Sequence, residues 1–137
     1  MMNDWNQSLS VGNDKLDEQH KQIIKDFNKL IKEIKEIKEI KENGTGIKET
    51  AKRIEEDIRI HSAEEEKYMQ ENSFPGIGIH KKIHEQFLKN FLDFEEELEG
   101  TETEKLAEKA ENVVGRMWVN HIEKVDSQYC EFIKNKQ

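Results

Sequence analysis

Residues 58–84 read IRIHSAEEEKYMQENSFPGIGIHKKIH, two helical patterns on either side of a turn. In the first pattern Ile58, His61 and Glu65 are three and four residues apart, the spacing of one face of an α-helix. Turn-forming residues at 73–78 interrupt the pattern, and His80 and His84 resume it. The stretch therefore predicts two helices joined by a short turn, with histidines on the same faces as the apolar residues.

Similar breakers divide the rest of the sequence. They lie at 43–46, 73–78 and 100–103 and separate an N-terminal arm, residues 1–16, from four helical segments. The predicted helices span residues of about 17–42, 47–72, 79–99 and 103–134. Because short connections favour antiparallel neighbours, the sequence predicts one all-α domain over residues 1–137, an up-down-up-down antiparallel four-helix bundle.

Capping residues support these helix starts. Asp17 is placed to cap the first helix, and Thr45 or Gly46 precedes the second. Thr101, with Glu104 three residues later, forms a capping-box pattern before the fourth.

Each segment carries an inward stripe of residues spaced by three and four. The four stripes are His20, Ile24, Phe27, Ile31, Ile34; Ile47, Ala51, Ile54, Ile58, His61, Glu65, Tyr68; His80, His84, Phe87, Phe91, Phe94, Leu98; and Leu106, Ala110, Val113, Met117, His121. From residue 31 to 42 the sequence instead repeats Ile-Lys-Glu, and a period of three moves the isoleucines around the helix. His20 lies 23 residues before Asn43, whereas His61 lies only 15 residues after Gly46. Because both must reach the same height in the bundle, we expect the end of the first helix, residues 37–42, to bend, fray or overhang its neighbour.

Composition excludes several classes of partner. The formal net charge is -8, from 30 acidic against 22 basic residues, and a surface of this sign repels nucleic acid and anionic membranes. The first ten residues are polar and resemble neither a signal peptide nor a membrane span, which favours a cytoplasmic protein. The single cysteine, Cys130, cannot form an internal disulfide and is interpreted as an ordinary thiol near the end of the last helix.

All five histidines, His20, His61, His80, His84 and His121, lie on the inward stripes. One buried histidine is more often structural than a ligand, but five buried imidazoles need partners for their ring nitrogens, which a shared metal would provide. Glu65 is four residues after His61, although spacing alone leaves Glu64 open. Asp126 is five residues after His121, about 140° around a regular helix, so the pair fits only where the helix widens into a π-bulge.

Five imidazoles and two carboxylates exceed the four ligands of one zinc ion and suit a pair of ions with bridging carboxylates. Nitrogen and oxygen ligands without thiolate point to iron. The paired Glu-x-x-His motifs of other di-iron bundles are absent from the sequence.

These residues resemble the hemerythrin family, in particular its single-domain bacterial and archaeal members, over almost the whole chain. The matching features are Trp5, Ser10-Val11-Gly12, Asp17-Glu18-Gln19-His20, His61 with Glu65, Met69, Phe74-Pro75, His80 with His84, and Asn120-His121-Ile122 with Asp126.

The resemblance implies a ligand assignment. His80, His84 and His121 would hold one iron, His20 and His61 the other, and Glu65 and Asp126 would bridge them together with an oxo or hydroxo group. Dioxygen would bind at the free position of the second iron.

The resemblance also implies a function: reversible dioxygen binding for storage, delivery or sensing. The alternatives are a di-iron enzyme acting on peroxide or nitric oxide, and a purely structural metal site. Separately, a monomer is favoured. By the same resemblance, Ser62, Met117, Trp118 and Ile122 are expected to line the dioxygen pocket. The sequence departs from the family pattern at two places: Ser62 follows His61 where phenylalanine is frequent, and Met117-Trp118-Val119 stands where tryptophan and then leucine are common.

Overall fold

The computed structural model describes residues 5–36, 45–98 and 103–136 and confirms the all-α four-helix bundle. A short 3-10 helix, Gln7–Leu9, precedes three regular helices: α1 (Asp14–Glu36), α2 (Thr45–Glu71) and α3 (Ile77–Glu97). The fourth helix, α4, covers residues 103–136 and contains two π-helical segments. No helix in the described ranges has an apolar run long enough to cross a bilayer. The predictions for Thr101 and for residues 37–42 lie outside these ranges.

The start of α1 corrects the predicted cap. Asn13, not Asp17, caps this helix, because its Oδ1 accepts a hydrogen bond from the Leu16 amide at 3.1 Å. Asp17 lies one turn inside the helix and holds the arm instead. Its carboxylate accepts from the Ser10 hydroxyl at 2.6 Å and from the Val11 amide at 2.9 Å. Helix α1 therefore begins three residues before the predicted start.

The turn between α2 and α3 ends the second helix in a defined way. Ser73 has a φ of 55°, in the left-handed region, and the Phe74 amide donates back to the Met69 carbonyl at 3.0 Å. This is the Schellman arrangement that satisfies the last carbonyls of a helix. It buries Phe74 against the bundle and reverses the chain.

Side-chain contacts at both ends of the helix pairs establish the antiparallel order. Between α1 and α2, Gln19 contacts His61 at one end, and the Thr50 hydroxyl donates to Glu33 at 2.7 Å at the other.

The same order holds between α3 and α4. His80 packs against His121 with ring centroids 5.2 Å apart, and Lys109 pairs with Glu97 at 2.7 Å at the opposite end.

Two π-helical segments, Ala110–Gly115 and Ile122–Asp126, interrupt α4. The second confirms the irregularity predicted from the spacing of His121 and Asp126. The first was not predicted, and it makes the stripe prediction wrong at Met117. A π turn adds one residue, so the inward position passes from Met117, which is 36% exposed, to Trp118, which is 1% exposed.

The buried apolar residues form two clusters with a polar layer between them. Leu16, Met69 and Tyr129 belong to the smaller cluster, which also includes Val11 of the arm. The larger cluster includes Ile23 and Ile58. The layer between them is therefore shielded from water on two sides, and it contains every histidine of the chain.

Candidate metal centre

Seven side chains form this layer, and we call them the histidine–carboxylate cluster. They are the seven residues predicted from the sequence: His20, His61, Glu65, His80, His84, His121 and Asp126. All are buried. Helix α1 contributes one of them, and α2, α3 and α4 contribute two each. Their ligand roles remain a prediction, but the structure brings every member into one place.

Local helix geometry explains how the pairs reach this layer. In α2 and α3 the spacing of four residues puts both members of a pair on one face. In α4 the π segment Ile122–Asp126 brings Asp126 back to the side of His121, and Asp126 Oδ1 lies 2.9 Å from His121 Nε2. The structure also decides between two glutamates, because Glu64 pairs with Lys15 at 3.0 Å while Glu65 is buried in the cluster.

One half of the cluster contains three histidines, and we call it the three-histidine half. The Glu65 Oε1 atom lies 3.1 Å from His80 Nε2 and 2.8 Å from His84 Nε2. The Asp126 Oδ1 atom lies 2.9 Å from Nε2 of both His80 and His121. One oxygen from each carboxylate therefore faces these three imidazoles.

The other two histidines form the two-histidine half. Here the second oxygens of the same carboxylates are the close neighbours. Glu65 Oε2 lies 3.0 Å from His61 Nε2 and 3.4 Å from His20 Nε2, and Asp126 Oδ2 lies 3.2 Å from His20 Nε2. Each carboxylate thus presents one oxygen to each half, as expected of a ligand shared by two ions.

Several of these close atoms lack hydrogen-bond partners. His20 Nε2, His121 Nε2 and both Asp126 oxygens are buried and make no hydrogen bond within the described residues, although they approach one another closely. Buried polar atoms are costly without partners. A cation between the imidazole nitrogens and the carboxylate oxygens would satisfy all of them, so the donor set fits a pair of metal ions.

Three further residues hold the cluster members in place, and the sequence did not predict these contacts. The Nδ1–H of His61 donates to Gln19 Oε1 at 2.7 Å, and the Nδ1–H of His84 donates to Glu66 at 2.8 Å. These bonds direct the Nε2 lone pairs inward. The Tyr129 hydroxyl donates to Glu65 Oε2 at 2.9 Å. The only sequence signal was their placement beside or one turn from a cluster residue.

Burial and charge together set the protonation of the cluster. Burial disfavours a charge on His20 and His80, but the nearby carboxylates outweigh it and raise the pKa of both imidazoles to about 9. Burial also acts against ionised Glu65, yet His61 and the other imidazoles hold the pKa of this carboxyl well below its usual range. The raised pKa values favour protonated imidazoles beside the two carboxylates. A cation that binds here displaces these protons.

The residues predicted for a dioxygen pocket separate in the structure. Trp118 and Ile122 are buried, and the Trp118 ring lies 5.5 Å from that of His61 and 5.9 Å from that of His20. Trp118 therefore adjoins the two-histidine half, and it also stacks on His121 of the three-histidine half. Ile122 is buried in the larger apolar cluster. Met117 is exposed at the surface, which does not fit the wall of a closed pocket.

Ser62 also differs from the expectation. One residue turns a helix by about 100°, so Ser62 does not share the inward direction of His61. It lines an open surface cleft of about 300 Å³ whose walls include His84 and Glu66. Ser62 therefore lies beside the three-histidine half rather than the two-histidine half.

Comparisons with known proteins agree with this geometry. Residues 11–133 match the family description "Hemerythrin HHE cation binding domain". The chain is 26% identical over 130 residues to a bacteriohemerythrin of Stenotrophomonas maltophilia, covering 95% of this chain and 80% of that protein. It is 31% identical over 127 residues to a myohemerythrin of Theromyzon tessulatum, covering 91% and 88%. A bacteriohemerythrin of Campylobacter jejuni is 29% identical over 133 residues, covering 93% and 92%.

Proposed function

Because the chain belongs to the hemerythrin family, we propose that it binds dioxygen reversibly at a non-haem di-iron centre, for storage, transport or sensing. The observation that carries the proposal is the division of the carboxylate oxygens. Glu65 and Asp126 each turn one oxygen toward the three-histidine half, where it lies close to two imidazoles, and the other toward the two-histidine half. This arrangement suits two ions that share both carboxylates but differ in the number of histidine ligands.

In this proposal His80, His84 and His121 hold one iron ion, and His20 and His61 hold the other. Glu65 and Asp126 would be shared between the two ions, and an oxo or hydroxo group would complete the proposed centre. The two ions, when bound, supply the electrons that reversible dioxygen binding requires. The half with fewer histidines leaves room for a small ligand.

The protein's own part is to position these ligands and to exclude water. Gln19 and Glu66 orient His61 and His84, so that their lone pairs face inward without rearrangement. The buried Trp118 ring packs on both imidazoles of the two-histidine half and covers them with apolar surface. A dry wall slows the proton delivery that would otherwise make oxidation irreversible.

Binding is favoured over turnover of peroxide or nitric oxide, because turnover needs a proton donor near the open position. All five histidines of the chain belong to the cluster, so none is left for that role. Dioxygen is therefore the proposed partner. We further propose a single cytoplasmic domain that acts as a monomer, and the buried free thiol of Cys130 suits a reducing compartment.

An optical spectrum tests the proposal directly. The anaerobically reduced protein should develop charge-transfer absorption in air and lose it when dioxygen is removed. Metal analysis of protein produced with ample iron should give two irons per chain. A single metal per chain, a preference for zinc, or absorption that never reverses would contradict reversible binding at an iron pair.

A further inference from the structure

The indole N–H of Trp118 is buried without a hydrogen-bond acceptor. The side chain is 1% exposed, and its Nε1 has no partner among the residues that the structure describes. Buried donors are nearly always satisfied in folded proteins, because an unmade hydrogen bond leaves the cost of desolvation uncompensated. An orphaned donor next to a candidate metal centre therefore requires an explanation.

The surroundings of Trp118 show why no acceptor is available. The indole contacts the rings of His20 and His61, stacks on His121 at an interplanar angle of 14°, and packs on Phe87 with centroids 5.1 Å apart. Phenylalanine offers only a hydrocarbon surface.

The imidazoles cannot accept either. The Nε2 atoms of His20 and His61 face the shared carboxylates, and the Nδ1–H of His61 is itself a donor, to Gln19. An imidazole that binds a metal through Nε2 carries its hydrogen on Nδ1. Among the residues that the structure describes, none therefore accepts from Trp118, and a bound ligand is a candidate acceptor.

Position in the fold indicates what that acceptor is. The unpredicted π segment Ala110–Gly115 turns Trp118, rather than Met117, toward the centre. Trp118 contacts both histidines of the half that has fewer ligands, where the proposed function leaves a free position. A small molecule that takes on negative charge at this position would be a strong hydrogen-bond acceptor.

We propose that the Trp118 N–H donates a hydrogen bond to small anionic ligands held at the two-histidine half, and that it selects for ligands with an acceptor atom in reach. This inference rests on the proposed function, because it needs the free position. It makes Trp118 a ligand-contacting residue, beyond the role of an apolar wall.

Azide binding to the oxidised, iron-loaded protein tests the inference. Trp118 is replaced by 3-benzothienylalanine, which keeps the bicyclic shape but has sulfur in place of the N–H, and in a second variant by phenylalanine, Trp118→Phe. The control is Phe87→Leu, which alters the packing around the indole without removing a donor. The readouts are iron content, azide affinity by optical titration, and the shift of the azide stretching frequency between H₂O and D₂O.

We expect both Trp118 variants to keep their iron and to bind azide at least about tenfold more weakly, the factor for losing a hydrogen bond to a charged group. The H₂O-to-D₂O shift should be present in the wild type and in Phe87→Leu and absent from the benzothienyl variant. Unchanged affinity and an unchanged isotope shift in that variant would overturn the inference while leaving the proposed function intact.

Two further outcomes are also decisive. Loss of iron from both Trp118 variants would mean that the indole holds the cluster together, which would overturn the inference. Wild-type protein that holds two irons but binds no azide would have no free position, and that result would contradict the proposed function itself.

Discussion

The two-histidine and three-histidine halves share the same two carboxylates but differ in what lies behind their imidazoles. His20 and His61 are fully buried, and the Nδ1–H of His61 donates to the neutral amide of Gln19. His84 lies in the wall of an open cleft, and its Nδ1–H donates to the Glu66 carboxylate.

This difference assigns separate tasks to the two halves. A carboxylate behind an imidazole makes it a stronger donor to a metal, so Glu66 favours firm retention of an ion by the three-histidine half. A neutral partner and an apolar wall leave the other half less charged and drier. Under the proposed function, we therefore expect the three-histidine half to retain its metal and the two-histidine half to receive the ligand.

The largest effect should come from removing a histidine of the two-histidine half. We expect His61→Ala or His20→Ala to abolish the oxygenated band and to lower the iron content by about half, because each change leaves one imidazole for that ion. Helical circular dichroism should change little, since the apolar clusters remain. A variant that retains the band would remove that residue from the ligand position.

The matched change in the three-histidine half is His84→Ala. It should also lower the iron content, but it leaves two imidazoles in that half. We expect the remaining iron to stay with the three-histidine half in His61→Ala. Loss of the band in His84→Ala with its retention in His61→Ala would reverse the assignment of the two halves.

A smaller effect should come from changing Glu66 and Gln19, which accept hydrogen bonds from the Nδ1–H groups of His84 and His61. Glu66→Gln keeps an acceptor for His84 but removes its charge, while Gln19→Glu adds a charge behind His61. We expect metal affinity to fall by about tenfold in the first and to rise in the second, the lower end of the range for such partners. Metal competition with a chelator measures both, and equal behaviour of the two variants would remove the proposed difference between the halves.

Tyr129 acts on Glu65, one of the two carboxylates common to both halves. Burial and the charge of Glu65 raise the pKa of the Tyr129 phenol, so it remains a donor at every working pH. Tyr129→Phe should lower the free energy of unfolding by about 1–3 kcal/mol, because it removes a buried hydrogen bond to a charged group. Urea denaturation measures this, with Tyr68→Phe, a half-buried neighbouring tyrosine, as the control. Equal losses in both variants would assign the effect to packing.

The smallest effect should come from Glu55 and Glu95, a carboxyl pair outside both halves. Its contribution to the pH dependence of stability must be subtracted before the two halves are compared across pH. Burial and the facing Glu55 carboxyl raise the pKa of Glu95 from 4.5 to about 7. The folded protein therefore keeps a proton that the unfolded chain releases above about pH 4.5, and stability should fall as pH rises from there to about 7.

Glu95→Gln tests this pair because it keeps a donor toward Glu55. We expect it to match the wild type at pH 5 and to exceed it at pH 8 by about 1 kcal/mol, a value discounted for partial exposure. Chemical denaturation at the two pH values measures the difference, with the exposed Glu96→Gln as the control. A pH dependence that persists in Glu95→Gln would exclude this pair as its source.

The sequence alone predicted the helices, the inward histidines and the irregular turn before Asp126. These features depend on short-range spacing, since residues three or four apart share a helix face and residues five apart do so only in a wider turn. Reasoning from local sequence also gave two wrong predictions. It placed Met117 inside, because nothing in the composition of residues 110–115 signals a π turn, and it assigned the first cap to Asp17 instead of Asn13.

By itself, therefore, the sequence determined an all-α bundle whose helices bring five imidazoles and a carboxylate pair to one layer. Only the tertiary structure decided that Glu65, not Glu64, enters the layer, that each carboxylate divides its oxygens between two halves, and which of Gln19, Glu66 and Tyr129 contacts which partner. These choices depend on the rotation of each helix about its axis and on contacts between helices distant in the chain. Periodicity within one helix cannot specify either of them.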